Sequence, residues 1–407
     1  MLVVLYFLVI FYFFWRVRKE NTIRRLIFGV YSFSAFCSVL YYIFIPLRYE
    51  QNVLAYIYYI ICTIILLFPI WNLGGISCKD FTFPRKFIQW LSYILIIFGI
   101  ISLANIIPNL FTIQTYLNNL SELRSAYYHG DDIFESNSSL LFIMANWVRY
   151  IQFFSPCLAF INYIKGNKLI SVLLTIVSLV PALSNLLIGE REACIVVLSN
   201  FIFAYIFFKP ILSRKIAEKI KKIGILISLP LVAFVIAMTM SRFGDSDGGV
   251  GRSILVYVGE QPFNFSYIFS YINIDQQNLG GRLSFGYLFP EEEQLVEQIN
   301  YYINAGEYLN TFSGIPGFML LDFSYGAILV IGLISFFFTM VFSHKRNLKT
   351  GKYNFSIFMA YLIYYQIIFM GVFYFDFKSK YVVYMCILLF VGNFITQRIP
   401  NFNKSII

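Results

Sequence analysis

Eleven long apolar runs divide this chain, and between them they contain one charged side chain, Arg149. The runs are residues 1–15, 26–45, 53–71, 87–107, 139–163, 169–187, 193–208, 223–240, 323–342, 355–373 and 381–394. A hydrocarbon layer is crossed by about 20 apolar residues in a helix, so runs of this kind predict membrane spans. The composition agrees: 59% of residues are hydrophobic and 13% charged, against roughly 25% charged in a soluble domain. A water-facing surface cannot be built from these residues. Strands of a transmembrane barrel are excluded because the runs are continuous, whereas barrel strands alternate over about ten residues. The expected fold is an all-α polytopic membrane protein of about eleven transmembrane helices, forming a single transmembrane domain over residues 1–407.

Charge orients the spans. Counting alternate connections puts 22 of the 31 Lys and Arg and 3 of the 21 Asp and Glu on one side, and 9 and 18 on the other. By the positive-inside rule the first side is cytoplasmic. The N-terminus is then outside and the C-terminus, with Arg398 and Lys404, inside. The net charge of +10 is thus a topology signal rather than a nucleic-acid signal. The first run is read as a span and not as a cleaved leader, because no basic residue precedes it and the charges follow it. The six cysteines are scattered, with no Cys-x-x-Cys spacing, so neither a disulfide framework nor a zinc site is suggested.

The cytoplasmic connections are short. The longest, KPILSRKIAEKIKK, reads as a basic amphipathic helix on anionic lipid heads. Length is spent outside, in a loop over 108–138 and a large loop over 241–322. Long loops inside a compact protein usually carry function or structure of their own. Within the second, the apolar stretch 253–272 is interrupted by Glu260, Gln261, Pro262 and Asn264, and a span there would invert every later charge. It is read as part of the loop. Pro290 and the three acids after it predict a short helix. FSGIPGFMLLDFSYG is apolar but broken by Gly314, Pro316 and Gly317, and is expected to dip into the membrane before the ninth span. No internal repeat is visible, which weighs against a transporter built from inverted halves.

No soluble-enzyme motif is present, and only two histidines. His344 belongs to a basic turn and His129 to the first outer loop beside Asp131. The arginines say more. The outer side, Arg149 included, has seven Arg and two Lys, and the inner side eight Arg and fourteen Lys. That skew suits a pyrophosphate site, because guanidinium grips phosphate oxygens in a bidentate fork. Arg191, in the turn IGEREAC before the seventh span, has two readings. A cation at a helix N-terminus is disfavoured unless it helps the free N–H groups hold an anion; alternatively it pairs with Glu190 or Glu192. Arg149 lies inside the fifth run, where an intramembrane Arg marks function by default, or it snorkels outward if the span starts later. Arg242, Arg252 and Arg282 line the large loop as candidate substrate ligands. Asp322, at the edge of the ninth span, could orient an arginine, accept a proton, or cap a helix. Asp245-Ser-Asp247 is similar to a metal-binding Asp-x-Asp but sits between glycines, as a flexible turn would.

Four segments together resemble the Wzy-type oligosaccharide repeat-unit polymerases, relatives of the O-antigen ligases. IGEREACIVVLSNFIFAYIFF looks like their Gly-x-Arg segment followed by an apolar helix. LNTFSGIPGFMLLDFSYGAILVIGLISFFF resembles their Asp-Phe-Gly stretch, with Ser324-Tyr325 standing where the first Gly would be. VYVGEQPFNF and GGRLSFGYL are similar to outer-loop pieces of the same family. The ligases are expected to carry a His in the large loop, and residues 241–311 have none. The Arg-to-Gly spacing of some polymerases is also missing.

The resemblance implies a metal-independent membrane glycosyltransferase of the GT-C type, without a cofactor, in the bacterial cytoplasmic membrane. Its substrates would be undecaprenyl-pyrophosphate-linked oligosaccharides, joined at the outer face into O-antigen, capsule or exopolysaccharide. A flippase and a chain-length regulator would be its partners. Arg191 would stabilise the leaving pyrophosphate, with Arg149 or Arg252 next, and Glu192 or Asp322 would orient or deprotonate the acceptor hydroxyl. Two rivals remain open: a transporter of lipid-linked oligosaccharides, and a metal-dependent enzyme using polyprenyl-monophosphate sugars.

Overall fold

A computed structural model describes residues 2–20, 22–47, 51–73, 75–113, 140–187, 192–243, 249–271, 280–282, 284–285, 288, 313–343, 351–373 and 380–398. Over these residues the chain is helical, and one isolated bridge pairing stands in place of any sheet. The first four helices are α1 (Leu2–Val17), α2 (Ile23–Phe44), α3 (Val53–Leu73) and α4 (Arg85–Ile113). Then come α5 (Leu140–Arg149), α6 (Ser155–Ile164), α7 (Lys168–Val177), α8 (Val180–Leu187), α9 (Glu192–Phe208) and α10 (Arg214–Phe243). The last six are α11 (Gly249–Gly259), α12 (Gln261–Tyr271), α13 (Gly314–Phe323), α14 (Ala327–Phe342), α15 (Phe355–Met370) and α16 (Lys380–Arg398). Six stretches are long and apolar enough to cross a membrane: Ile23–Phe44, Val53–Leu73, Arg85–Asn109, Lys168–Leu187, Glu192–Ile211 and Gly314–Phe342. This is an all-α membrane protein.

The helices wear their apolar residues outside as well as inside. On α14, Ala327, Ile331 and Ser335 are buried, while Leu329 is 70%, Leu333 67% and Phe336 64% exposed. An exposed face more apolar than the buried one is stable only where the solvent is lipid.

Contacts divide the chain into two compact units. The first comprises Met1–Ile76, Gly251–Leu348 and Ile357–Lys380. Here α14 runs parallel to α3: the Ile328 N–H donates to the Tyr58 hydroxyl (2.9 Å), and seven residues on the Ser335 hydroxyl donates to the Ile65 carbonyl (2.7 Å). Tyr364 of α15 donates to the Leu66 carbonyl (2.5 Å) and Tyr31 of α2 to the Ile368 carbonyl (2.9 Å). Buried hydroxyls thus find carbonyls, as they must where no water competes. At one end Trp71 packs edge-on against Phe13 and Phe28, with the Arg24 guanidinium 5.3 Å from its ring.

The second unit comprises Ser77–Val250, Lys349–Ser356 and Tyr381–Ile407. At one end Thr82 N–H donates to the Tyr353 carbonyl (2.9 Å) and Tyr353 N–H to the Asp80 carbonyl (2.7 Å). Phe81 and Phe83 pack there on Phe207 and Phe208, closing that end with aromatic rings. In both units, hydrogen bonds between connections join segments of the same charge parity. Residues 80–82 meet 353, Asn52 N–H meets the Ser266 hydroxyl (2.9 Å), and Gly314 N–H meets the Phe373 carbonyl (3.0 Å).

Three expected spans differ in detail. Run 139–163 is two helices, α5 and α6, with the break at residues 150–154. Pro156 opens α6 and lacks the N–H that would continue the helix, and Gln152 fills the break, accepting from the Ser155 hydroxyl (2.6 Å) and donating to the Leu95 carbonyl (3.3 Å). Run 169–187 is likewise α7 and α8, parted at Ser178 and Leu179 just before Pro181. The fourth span continues past Pro108 to Ile113 within α4, so the first outer loop starts later than the proline suggested. Stretch 253–272 forms two helices parted at Glu260.

Candidate functional site

The sequence candidates fall in both units. Arg252, Arg282 and Asp322 belong to the first; Arg149, Glu192 and Arg242 to the second. Arg191, Glu190, His129, His344, Asp245 and Asp247 lie outside the described residues, as do 114–139 of the first outer loop and the helix expected after Pro290.

In the first unit, Asp322 is fully buried near the C-terminus of α13. Its carboxylate accepts the Ser284 N–H (2.6 Å), and its carbonyl accepts the Gly280 N–H (2.8 Å). A single residue thereby holds both ends of the turn 280–285, which presents Arg282 exposed. Phe285 packs on Phe323 with ring centres 6.2 Å apart. Gly281 has a positive φ of 89°, and a Cβ there would stand 3.0 Å from the Phe323 ring, so the turn needs glycine twice over.

After Phe323 the chain turns at Ser324, whose φ of 51° and ψ of −139° make it the one non-glycine residue with positive φ among those described. This conformation costs a side-chain-bearing residue about 1–3 kcal/mol. It falls where the resemblance has glycine. Asp322 and Tyr58 hold the strained turn from either side: Tyr58 donates to the Tyr325 carbonyl (2.6 Å) while accepting from Ile328. α12 completes the cluster, its Phe269 ring 5.3 Å from Tyr325 and 5.8 Å from Tyr58.

Sequence reasoning missed Glu260. It is 5% exposed, at the break between α11 and α12, beside a fully buried Gln261. A Cβ on Gly259 would lie 2.6 Å from the Cys37 backbone, and Ser34 donates to the Val258 carbonyl (2.7 Å). The break is therefore clamped against the middle of α2, not its end. An ionisable group at such a place marks function by default. The signal was legible: Gly-Glu-Gln-Pro interrupts an apolar run, and an acid there is costly in lipid.

In the second unit, Arg149 ends α5 at the break, where a cation meets the negative end of the helix dipole. It is half-buried, donates to the Ser184 hydroxyl, and lies 5.7 Å from the Tyr150 ring. No carboxylate pairs with it among the described residues. Glu192 is exposed in the first turn of α9, favourable for an acid. Arg242 lies in the last turn of α10, and Arg252 is exposed in the first turn of α11. Between spans, burial and the neighbouring Arg85 lower the Lys165 ammonium to about 8, and burial pushes the Cys78 thiol up to about 12, where it packs rather than reacts.

No family model, no curated protein and no solved structure matches the chain.

Proposed function

We propose that the chain is an oligosaccharide repeat-unit polymerase: a metal-independent glycosyltransferase of GT-C type with eleven spans in the bacterial cytoplasmic membrane. It takes a growing glycan from undecaprenyl pyrophosphate and joins it to the sugar of the next lipid-linked repeat unit at the outer face. One observation carries this reading. Segments far apart in sequence, each similar to a piece of that family, meet in one unit: GGRLSF is pinned to Asp322 of LLDFSY, and the helix after VYVGEQ packs on the same turn. The positive φ at Ser324, where the family has glycine, supports it independently. The pairing of connections by charge parity supports the topology.

In the reaction the acceptor hydroxyl attacks C1 of the donor sugar. The C1–O bond to pyrophosphate breaks, pyrophosphate departs with the electron pair, and the hydroxyl proton passes to a base. Charge grows on the leaving group, so fixed cations there stabilise the transition state more than the ground state. On the resemblance Arg191 takes that role, with Arg149 next; Arg242, and in the other unit Arg252 and Arg282, are further candidate anion ligands. Asp322 is engaged by the Ser284 N–H and acts as a positioning residue for the turn bearing Arg282. Glu192, exposed in the first turn of α9, is the carboxylate assigned on the resemblance to orient the acceptor or receive its proton.

A second reading is a transporter of lipid-linked oligosaccharides, favoured by the breaks within α5–α6 and α7–α8, with Arg149 at one of them, since interrupted helices mark transport sites. The test is a deletion strain complemented with wild type or Arg191→Ala. The polymerase reading expects single repeat units on the outer surface and no ladder in the deletion. It expects the same with Arg191→Ala, with the protein still inserted. Single units trapped on the inner leaflet would replace it with the transporter. A normal ladder with Arg191→Ala would remove Arg191 from the site.

A further inference from the structure

We infer that Tyr325 is the stacking platform for the sugar of the lipid-linked substrate, with the polyprenyl chain lying along the exposed face of α14 below it. The inference rests on the glycosyltransferase reading and names where its substrate docks.

Tyr325 is 50% exposed although it follows the one non-glycine residue with positive φ among those described. Ser324 has the positive φ, Asp322 just before it is fully buried, and the Tyr325 carbonyl is taken by Tyr58. Phe269 braces the ring at an interplanar angle of 70°. Backbone strain persists where the surroundings over-determine it, and it concentrates at ligand sites. A tyrosine that only anchors a helix at the membrane boundary needs none of this; a helical residue would serve.

Position supplies the second argument. Tyr325 heads a stripe at helical spacing, Leu329, Leu333, Phe336 and Met340, each more than half exposed. From Leu329 to Met340 the stripe rises about 16 Å at 1.5 Å per residue, about half the depth of the hydrocarbon. A polyprenyl chain on this face would lie in lipid while its headgroup reached the strained turn. There Arg282 is exposed on the turn pinned to Asp322, offering guanidinium to phosphate. The Ser284 hydroxyl, buried in the same turn, has no hydrogen-bond partner among the described residues. Aromatic ring, cation and apolar track are the three kinds of surface that the sugar, pyrophosphate and lipid of a lipid-linked saccharide would each need. An aromatic face takes the C–H face of a sugar ring, and the tyrosine hydroxyl adds a polar handle.

The experiment measures binding to the full chain in nanodiscs. The probes are lipid-linked repeat unit extracted from the native host and undecaprenyl pyrophosphate without sugar. Tyr325→Ala is expected to weaken the sugar-bearing probe about tenfold and leave the bare lipid pyrophosphate unchanged, with Tyr325→Phe close to wild type. Tyr325→Leu is the second variant should alanine not fold. Equal weakening of both probes would make Tyr325 a lipid-interface anchor and overturn the inference, as would no weakening of either. The two readings fail separately. Binding that needs Tyr325 in a chain that makes no polymer sinks the polymerase alone. A normal ladder together with unchanged binding in Tyr325→Ala sinks this inference alone.

Discussion

In the first unit irregular backbone lies between helices, at Glu260, at the turn 280–285 and, at the head of an expected span, at Ser324; in the second it also interrupts expected spans deep within them, at 150–154 and at 178–179. The first unit ties its irregular segments to residues far off in sequence: the Ser284 and Gly280 N–H groups donate to Asp322, the Gly314 N–H to the Phe373 carbonyl, and the Tyr58 hydroxyl to the Tyr325 carbonyl. The second ties its breaks mostly locally: Ser155 to Gln152, Ser178 to the Thr175 carbonyl (2.6 Å). Local bonds let a helix change course cheaply. Bonds that reach across tens of residues fix one arrangement, which suits a site that must hold charge and aromatic groups in register before substrate arrives.

The largest effect expected from this difference is at Asp322. Asp322→Ala leaves the Ser284 N–H buried without an acceptor, and a hydrogen bond to a charged group is worth about 1.5–3 kcal/mol. The melting temperature should fall and the polymer ladder should shorten or vanish. Asp322→Asn keeps an acceptor oxygen and should keep most of both. If the asparagine variant melts like wild type but makes no polymer, the carboxylate moves a proton and is more than a positioning group. If alanine changes nothing, the long-range tie carries no weight.

A smaller and signed effect separates the two units through the same substitution. Ser324→Gly relieves a conformation that disfavours side chains, and should stabilise by about 1 kcal/mol after the entropy of glycine is deducted. Ser178→Gly, in a right-handed helical conformation (φ −66°, ψ −15°), should destabilise by about 0.5–1 kcal/mol. Thermal melts of the two variants in one detergent decide it, and the same sign for both would erase the distinction.

The helices of both units were legible because apolar runs without charge leave a chain in lipid no other way to satisfy its backbone. The breaks in α5–α6 and α7–α8 were not. A helix apolar all round carries no stripe whose phase could slip, so Pro156 and Pro181 were the only marks, and prolines also sit inside unbroken α3, α4 and α10. At the site, Arg282 and Asp322 were both legible as candidates, but their connection was not, because it runs through the N–H groups of Gly280 and Ser284, which side-chain patterns do not encode. The φ of Ser324 was foreshadowed only as a departure from a glycine. Glu260 was readable and was spent on excluding a span.

The smallest effect is expected in the second unit, at Lys165, the one strongly shifted cation among the described residues outside the spans. Lys165 caps α6 in a turn closed by Lys165 N–H to the Ile161 carbonyl (3.1 Å). Burial first, and then Arg85, lower its ammonium to about 8. Because the folded value is depressed below the unfolded one, near 10.4, the unfolded chain binds more protons between those limits. Stability contributed at this position therefore rises with pH from about 8 to about 10.4, and the cost of the buried charge is fully present below that window. Lys165→Met should raise the melting temperature slightly at pH 7 and flatten its rise through the window, while Lys168→Met, on an exposed neighbour, should do neither. A slope unchanged by Lys165→Met would assign the titration to another group and leave the second unit without a charge held under strain.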